Sequence, residues 1–277
     1  MSNRWVKAII DNKEEYITND SRGIHFLEWE IPSVATVNND IEYTGRDGAI
    51  PGIINFSPFS LSLKFFYQGT DMNDLNLFTQ NLKRIIHNRS PYYIIHSEMP
   101  CFKYAVNKAE LEWEVINHGD ATFTITFNCY KGYAESRYET NKYNNTKEYW
   151  QFESGHDLYD IKYKHNTWEF NIFNGSSDYI MPFPNDHKLI IKIKIDAPNG
   201  FKMVNKTTGD VFQYNKKITK SQQLIINGVH PTINNERVGK NTNREWISLK
   251  PGNNDIEIIG ENILNPETEF IFPFIYR

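Results

Sequence analysis

Three carboxylates spaced two residues apart, Glu110, Glu112 and Glu114, are where catalysis would first be sought in this chain. Paired acids can divide acid and nucleophile work at a glycosidic bond. Their spacing argues against it: alternate residues of a strand share a face, so the three form a solvated row opposite Leu111, Trp113 and Val115. The eight histidines (His25, His87, His96, His118, His156, His165, His187, His230) are scattered, and no two stand at the i, i+4 or i, i+2 spacing that brings metal ligands together. Cys101 and Cys129 make no CxxC pair and are too few for a disulfide framework. In segments rich in Phe and Tyr both read as reduced core thiols. The glycine-rich nucleotide loops, HExxH, GxSxG and the EF-hand loop are all missing from the sequence. The expectation is therefore no catalytic residue, no cofactor and no metal, and a chain that is not an enzyme.

Two other groups of residues could bind rather than react. Tyr43-Thr-Gly-Arg-Asp-Gly48, followed by Pro51-Gly52, is turn-rich, because glycine supplies positive φ and proline stops a ladder. Arg46 and Asp47 have nothing to offer a core, where neither charge would be buried unpaired. They belong either to a plain exposed turn or to a contact between subunits. Trp168, Tyr179 and Trp246 could form a platform for sugar stacking, or they could be core.

The elements that must position these residues are mainly strands. Ile24–Pro32 (IHFLEWEIP) and Phe59–Tyr67 (FSLSLKFFY) alternate apolar and polar residues, as do Lys108–Ile116 and Thr122–Tyr130, which an Asn117-His118-Gly119-Asp120 turn joins into a hairpin. Pro91–His96 and Phe102–Val106 read as further strands. One helix is expected over Asp71–His87: Leu75, Phe78, Leu82, Ile85 and Ile86 recur at three- and four-residue steps. Thr70 or Asp71 can cap its start, and Lys83, Arg84 and His87 suit its negative end. Glu135–Lys147 loses its aliphatic residues and reads as a connector. Beyond it come many short strands with turns at Asn174-Gly175, Pro198-Asn199-Gly200, Gly209-Asp210, Asn227-Gly228 and Pro251-Gly252, the pattern of a β-sandwich.

Composition agrees. Aromatic residues make up 14% of the 277, which favours pleated surfaces over helices. A length of 277 suits one or two domains. The division expected here is residues 1–134, a connector at 135–149, and 150–277. With 30 Lys+Arg against 34 Asp+Glu, no basic field exists to recruit nucleic acid. The apolar run Leu189–Ile195 is broken by Lys192 and Lys194, so no span of a bilayer is expected. Met1–Asp11 shows no signal-peptide core, so the chain is expected to be made and kept in a cytoplasm.

The order of features resembles a known family. The Gly45–Gly48 loop, the Phe-Ser-Leu-Ser-Leu strand, a helix ending in Arg-Ile-Ile-His, then Pro91-Tyr92-Tyr93, Pro100, Tyr104 and a Trp113-Glu114 strand paired with Thr122-Phe123 resemble the N-terminal domain of the distal tail (Dit) family of siphophages of Gram-positive bacteria. Asn171–Gly175, Pro182, Thr207–Asp210, Trp246, Leu249–Asn254 and Phe272–Arg277 are similar in order to that family's galectin-like C-terminal domain. The resemblance implies a mainly β chain with one packed helix: an N-terminal β-sandwich or α+β domain followed by a galectin-like sandwich. It implies a homohexameric ring between tail tube and tail tip, found at the distal end of the tail in the virion and assembled in the host cytoplasm, its partners being its own copies, the tail tube protein and the tail-tip protein. Gly155–Arg277 leaves room for the sandwich alone, without a further arm. The competing functions are another tail-tip or baseplate subunit, or a carbohydrate-binding module acting through the second sandwich.

Overall fold

The computed structural model describes residues 4–19, 23–31, 36–142, 150 and 161–277. It divides into two units, one ending at Glu135 and including Arg277, the other spanning Ser136–Tyr276. The stretch 143–149 of the expected connector lies outside the described residues.

The first unit is built on β1 (Val6–Ile10), β2 (Lys13–Tyr16), β3 (Ile24–Glu30), four two-residue strands β4 (Thr36–Val37), β5 (Ile41–Glu42), β6 (Ala49–Ile50) and β7 (Asn55–Phe56), then β8 (Phe59–Gln68), α1 (Met72–Ile86), β9 (Tyr92–His96), β10 (Phe102–Val115) and β11 (Asp120–Ser136). The main sheet has the order β2-β1-β9-β10-β11-β8-β3. Alternation sets its register: Leu61, Leu63 and Phe65 on β8 and Phe123, Ile125 and Phe127 on β11 are all fully buried, while their neighbours face outward. β1 and β2 were not expected. Their turn rests on Asp11 and Asn12, both at positive φ, which polar residues tolerate and which suits a two-residue hairpin.

Asp71 caps α1, accepting from the backbone N–H of Asp74 at 2.8 Å. Leu75, Leu82 and Ile86 are buried beneath it. Phe78 is half-buried, its ring stacked on Tyr67 at 4.4 Å and tilted against Phe123 at 5.6 Å. The expected strands 102–106 and 108–116 are one continuous strand. Phe102–Val106 are buried on both faces and the pattern turns to alternation only afterwards, so the change of period imitates a break.

The polar stretch after β11 is not the solvated connector expected of it where it is described. Glu135 and Ser136 complete β11, and Thr140 is buried, its hydroxyl donating to Phe270 O at 2.8 Å and accepting from Phe272 N at 3.1 Å. Its polar residues satisfy backbone groups of the second unit, a use that composition does not distinguish from solvation.

The second unit comprises β12 (Lys164–His165), β13 (Glu169–Asn174), β14 (Ile190–Asp196), β15 (Phe201–Asn205), β16 (Val211–Tyr214), β17 (Leu224–Asn227), β18 (His230–Ile233), β19 (Glu236–Arg237), β20 (Gly252–Ile259) and β21 (Leu264–Ile271). They form two antiparallel sheets, β12-β21-β14-β17-β18-β19 and β13-β20-β15-β16. Ile191, Ile193 and Phe270 from the first and Ile172, Met203, Phe212 and Ile256 from the second are buried, with Phe170 meeting Phe270 edge-on at 6.1 Å. The stretches 178–182 and 246–249, expected as strands, meet only through one bridge, Ile180 to Leu249. β18 and β19 were not expected.

Candidate functional site

The three carboxylates that first suggested an acid centre do not form one. Glu110, Glu112 and Glu114 are all exposed on β10; Lys108 pairs with Glu110 at 2.5 Å, and Thr122 donates to Glu114 at 3.5 Å. Among the described residues no three His, Cys, Asp or Glu gather as metal ligands would. Cys129 is a core thiol, pushed up to about 12 by burial. Cys101 corrects the expectation of two core thiols: it is half-exposed, in the turn before β10, where aromatic neighbours in sequence do not imply enclosure.

The residues from β4 to β7 are different, because they leave the sheet altogether. β4 pairs with β7 (Thr36 opposite Phe56) and, inside that, β5 pairs with β6 (Ile41 opposite Ile50), so the segment is a nested two-stranded arm. Asn39 and Asp40 pin it halfway: the Asn39 amide donates to Ile53 O at 2.6 Å, and Gly52 N donates to the Asp40 carboxylate at 2.8 Å. A Cβ at Gly52 would lie 2.0 Å from Asn39 O, so this crossing admits only glycine. At its base the Arg277 guanidinium lies 3.8 Å from the Phe56 ring centre.

The arm's apolar side chains face water. Val37, Ile41, Tyr43, Ile54 and Phe56 are exposed, and Ile53 is 79% exposed. A lone two-stranded ribbon is marginal in water, and apolar residues gathered on one mark a surface meant to be covered. At the tip, Arg46 N donates to Tyr43 O at 3.2 Å, and Gly45 and Gly48 take positive φ. Arg46 and Asp47 stand side by side there, exposed, and neither makes an ion pair with another described residue. The tip could be read from Gly-Arg-Asp-Gly. The arm could not, since strands of two residues leave no period to detect.

Beside the sheet a second cluster carries charge inward. Glu135 is buried, with Lys131 at 2.5 Å and Lys103 at 3.5 Å. Burial works to raise its carboxyl, but the two ammonium groups overcome this and hold it below the usual range. It is an ion-pair network that closes one end of the sheet.

Comparison with known proteins follows the same division. The family model of the phage tail protein RIFT-related domain matches residues 11–129, which include the whole arm. Among solved structures, the Dit protein of phage SPP1, described as a paradigm of the hub adsorption apparatus in phages infecting Gram-positive bacteria, is similar over 99% of both chains, with a TM-score of 0.70 and 13% identity. A chain of the phage P2 baseplate in its activated conformation with Ca covers 98% of each chain at 11% identity and a TM-score of 0.45. No curated protein matches the sequence. At such identities the likeness to SPP1 Dit speaks for the fold.

Proposed function

We propose, for a chain whose residues 11–129 match the family model of the phage tail protein RIFT-related domain and whose fold is similar to that of SPP1 Dit, a structural role at the distal end of a phage tail. Six copies close a ring that joins the tail tube to the tail tip and host-adsorption apparatus. Its partners are its own copies, the tail tube protein and the tail-tip protein. The ring assembles in the host cytoplasm and resides in the virion, and it performs no hydrolase, transferase or redox chemistry.

The exposed apolar arm within the matched domain carries this reading. A head-to-tail contact between unlike surfaces repeats until its rotation closes, so one protruding arm per subunit suffices to build a ring. In such a contact Arg46 and Asp47 meet a neighbour's charge or backbone carbonyl, or line the opening. A partly desolvated, charge-assisted bond is stronger there than at an open surface.

Negative-stain microscopy of the purified full chain, with analytical ultracentrifugation alongside, tests the reading. A hollow ring of about 200 kDa, six chains of 32.6 kDa, is expected. A chain that stays monomeric at tens of micromolar, both alone and mixed with tail-tube and tail-tip proteins, would contradict it.

A further inference from the structure

The ribbon formed by residues 179–183 and 246–250 belongs to neither sheet of the second unit, yet it is held rigidly. Ile180 and Leu249 exchange both backbone hydrogen bonds at 2.9 Å and are fully buried. Pro182 is buried too, so alternation along 179–183 turns Tyr179 and Phe183 the other way, while Trp246, which precedes the buried run Ile247–Leu249, is half-buried beside them. Phe183 is 56% exposed and Tyr179 37% exposed. The Phe183 and Trp246 rings lie 5.1 Å apart, tilted by 58°.

Everything beneath this shelf is fixed. His187 is buried, with Nδ1 3.1 Å from Met181 N and 2.8 Å from Tyr179 O. The Asn174 amide donates to Leu249 O at 3.1 Å, and the Asn205 amide donates to Ser248 O at 2.8 Å. Asp186 and Arg244, in the two loops beside the rings, both take positive φ, a conformation that costs a non-glycine residue and tends to persist where a surface is shaped for use. Asn185, Arg244 and Lys250 are exposed around the shelf, and the Arg244 and Lys250 side chains have no ion pair among the described residues.

We propose that this shelf is a saccharide-binding site, with Phe183, Trp246 and Tyr179 stacking on sugar rings and Asn185, Arg244 and Lys250 donating to their hydroxyls. A pyranose presents an apolar C–H face about as large as one aromatic ring, with hydroxyls along its edge. A site for it needs exposed rings at the centre and donors at the rim, held in place beforehand. A stable protein interface engages roughly 20–30 residues a side. Three rings on two short segments match the smaller ligand. Trp168 is not part of the shelf. It lies at the far end of β13 from Asn174, roughly 20 Å away at about 3.3 Å per residue, and its carbonyl is engaged by Ile258 N.

The test is calorimetry and saturation-transfer NMR on the full chain with tetrasaccharides of glucose, galactose, N-acetylglucosamine and rhamnose at millimolar concentration. Saturable binding of at least one is expected, weakened at least tenfold by Phe183→Ala and unaffected by Trp168→Ala. Arg244→Gly, which suits the left-handed backbone and removes a donor, is expected to weaken binding without lowering the melting temperature. If none of the sugars binds saturably, or if Phe183→Ala binds as tightly as the parent, the proposal is overturned and the shelf is a protein contact instead. Ring formation is scored separately by microscopy, so the two readings fail independently.

Discussion

His96 closes β9 with no exposed surface, and neither ring nitrogen has a hydrogen-bond partner among the described residues. Phe26, Trp29 and Tyr104 surround it at ring distances of 6.0, 5.0 and 5.8 Å. Burial without a partner lowers its pKa from 6.5 to about 4. The unfolded chain therefore binds a proton as pH falls through 6.5 while the folded chain does not. Stability is full above pH 6.5 and falls until about pH 4, by about 3 kcal/mol at 1.36 kcal/mol per pH unit. Glu135 acts in a separate window: its depressed carboxyl contributes stability above the ordinary 4.5, which is lost as pH falls further. His96→Leu should thus flatten the melting temperature between pH 6.5 and 4.5 and leave the steeper loss below it. A variant as acid-sensitive as the parent in that range would show that His96 finds a proton acceptor. Pro-Tyr-Tyr-Ile-Ile-His alternates equally well with its last residue inside or outside, so enclosure of this histidine was not legible.

Elements with a full period were legible, and elements without one were not. The helix stripe placed α1 to within a residue or two, and Leu82→Ala should cost about 2–5 kcal/mol through lost transfer energy and a cavity, since Leu82 is 1% exposed. An unchanged melting temperature in that variant would mean the core closes around the gap without loss. β8 and the centre of β11 announced themselves by alternation over nine or more residues. The arm offers nothing comparable, because it depends on side chains bonding to backbone rather than on pattern. Its shape rests on the crossing of Asn39 with Gly52, where any side chain would collide with backbone. Gly52→Ala should therefore misdirect the arm and leave the buried sheet alone: the melting temperature stays within a few degrees and assembly is lost. Intact rings from that variant would remove the arm from the interface. Arg46→Ala with Asp47→Ala is the milder form, expected to shift the assembly toward monomer in ultracentrifugation without unfolding. An unchanged oligomer would reduce the tip to a simple turn.

At the scale of the whole chain, the first unit completes its own core. The aromatic stack of Phe65 on Phe123 at 4.8 Å, Trp113 against Phe123 at 4.6 Å and the ion pairs of Glu135 with Lys131 and Lys103 all lie within residues 1–135. A domain with its own core and satisfied charges melts by itself. A fragment ending at Lys147 should accordingly show one cooperative transition by near-ultraviolet circular dichroism, with the acid sensitivity attributed to His96 intact. It lacks Arg277, whose guanidinium rests on Phe56 and lies 5.7 Å from the Tyr133 ring, so the base of the arm should be looser than in the full chain. Hydrogen exchange then separates two contributions that a melting curve merges: amides of β8 and β11 should be as protected in the fragment as in the full chain, while those of β4 and β7 should exchange faster. Arg277→Ala in the full chain should reproduce the faster exchange at β4 and β7 alone. A fragment with no cooperative transition would mean that the first unit takes its stability from the rest of the chain. Equal protection of β4 and β7 in all three proteins would mean that the ribbon's own bonds, Asn39 to Ile53 and Gly52 to Asp40, suffice to hold it.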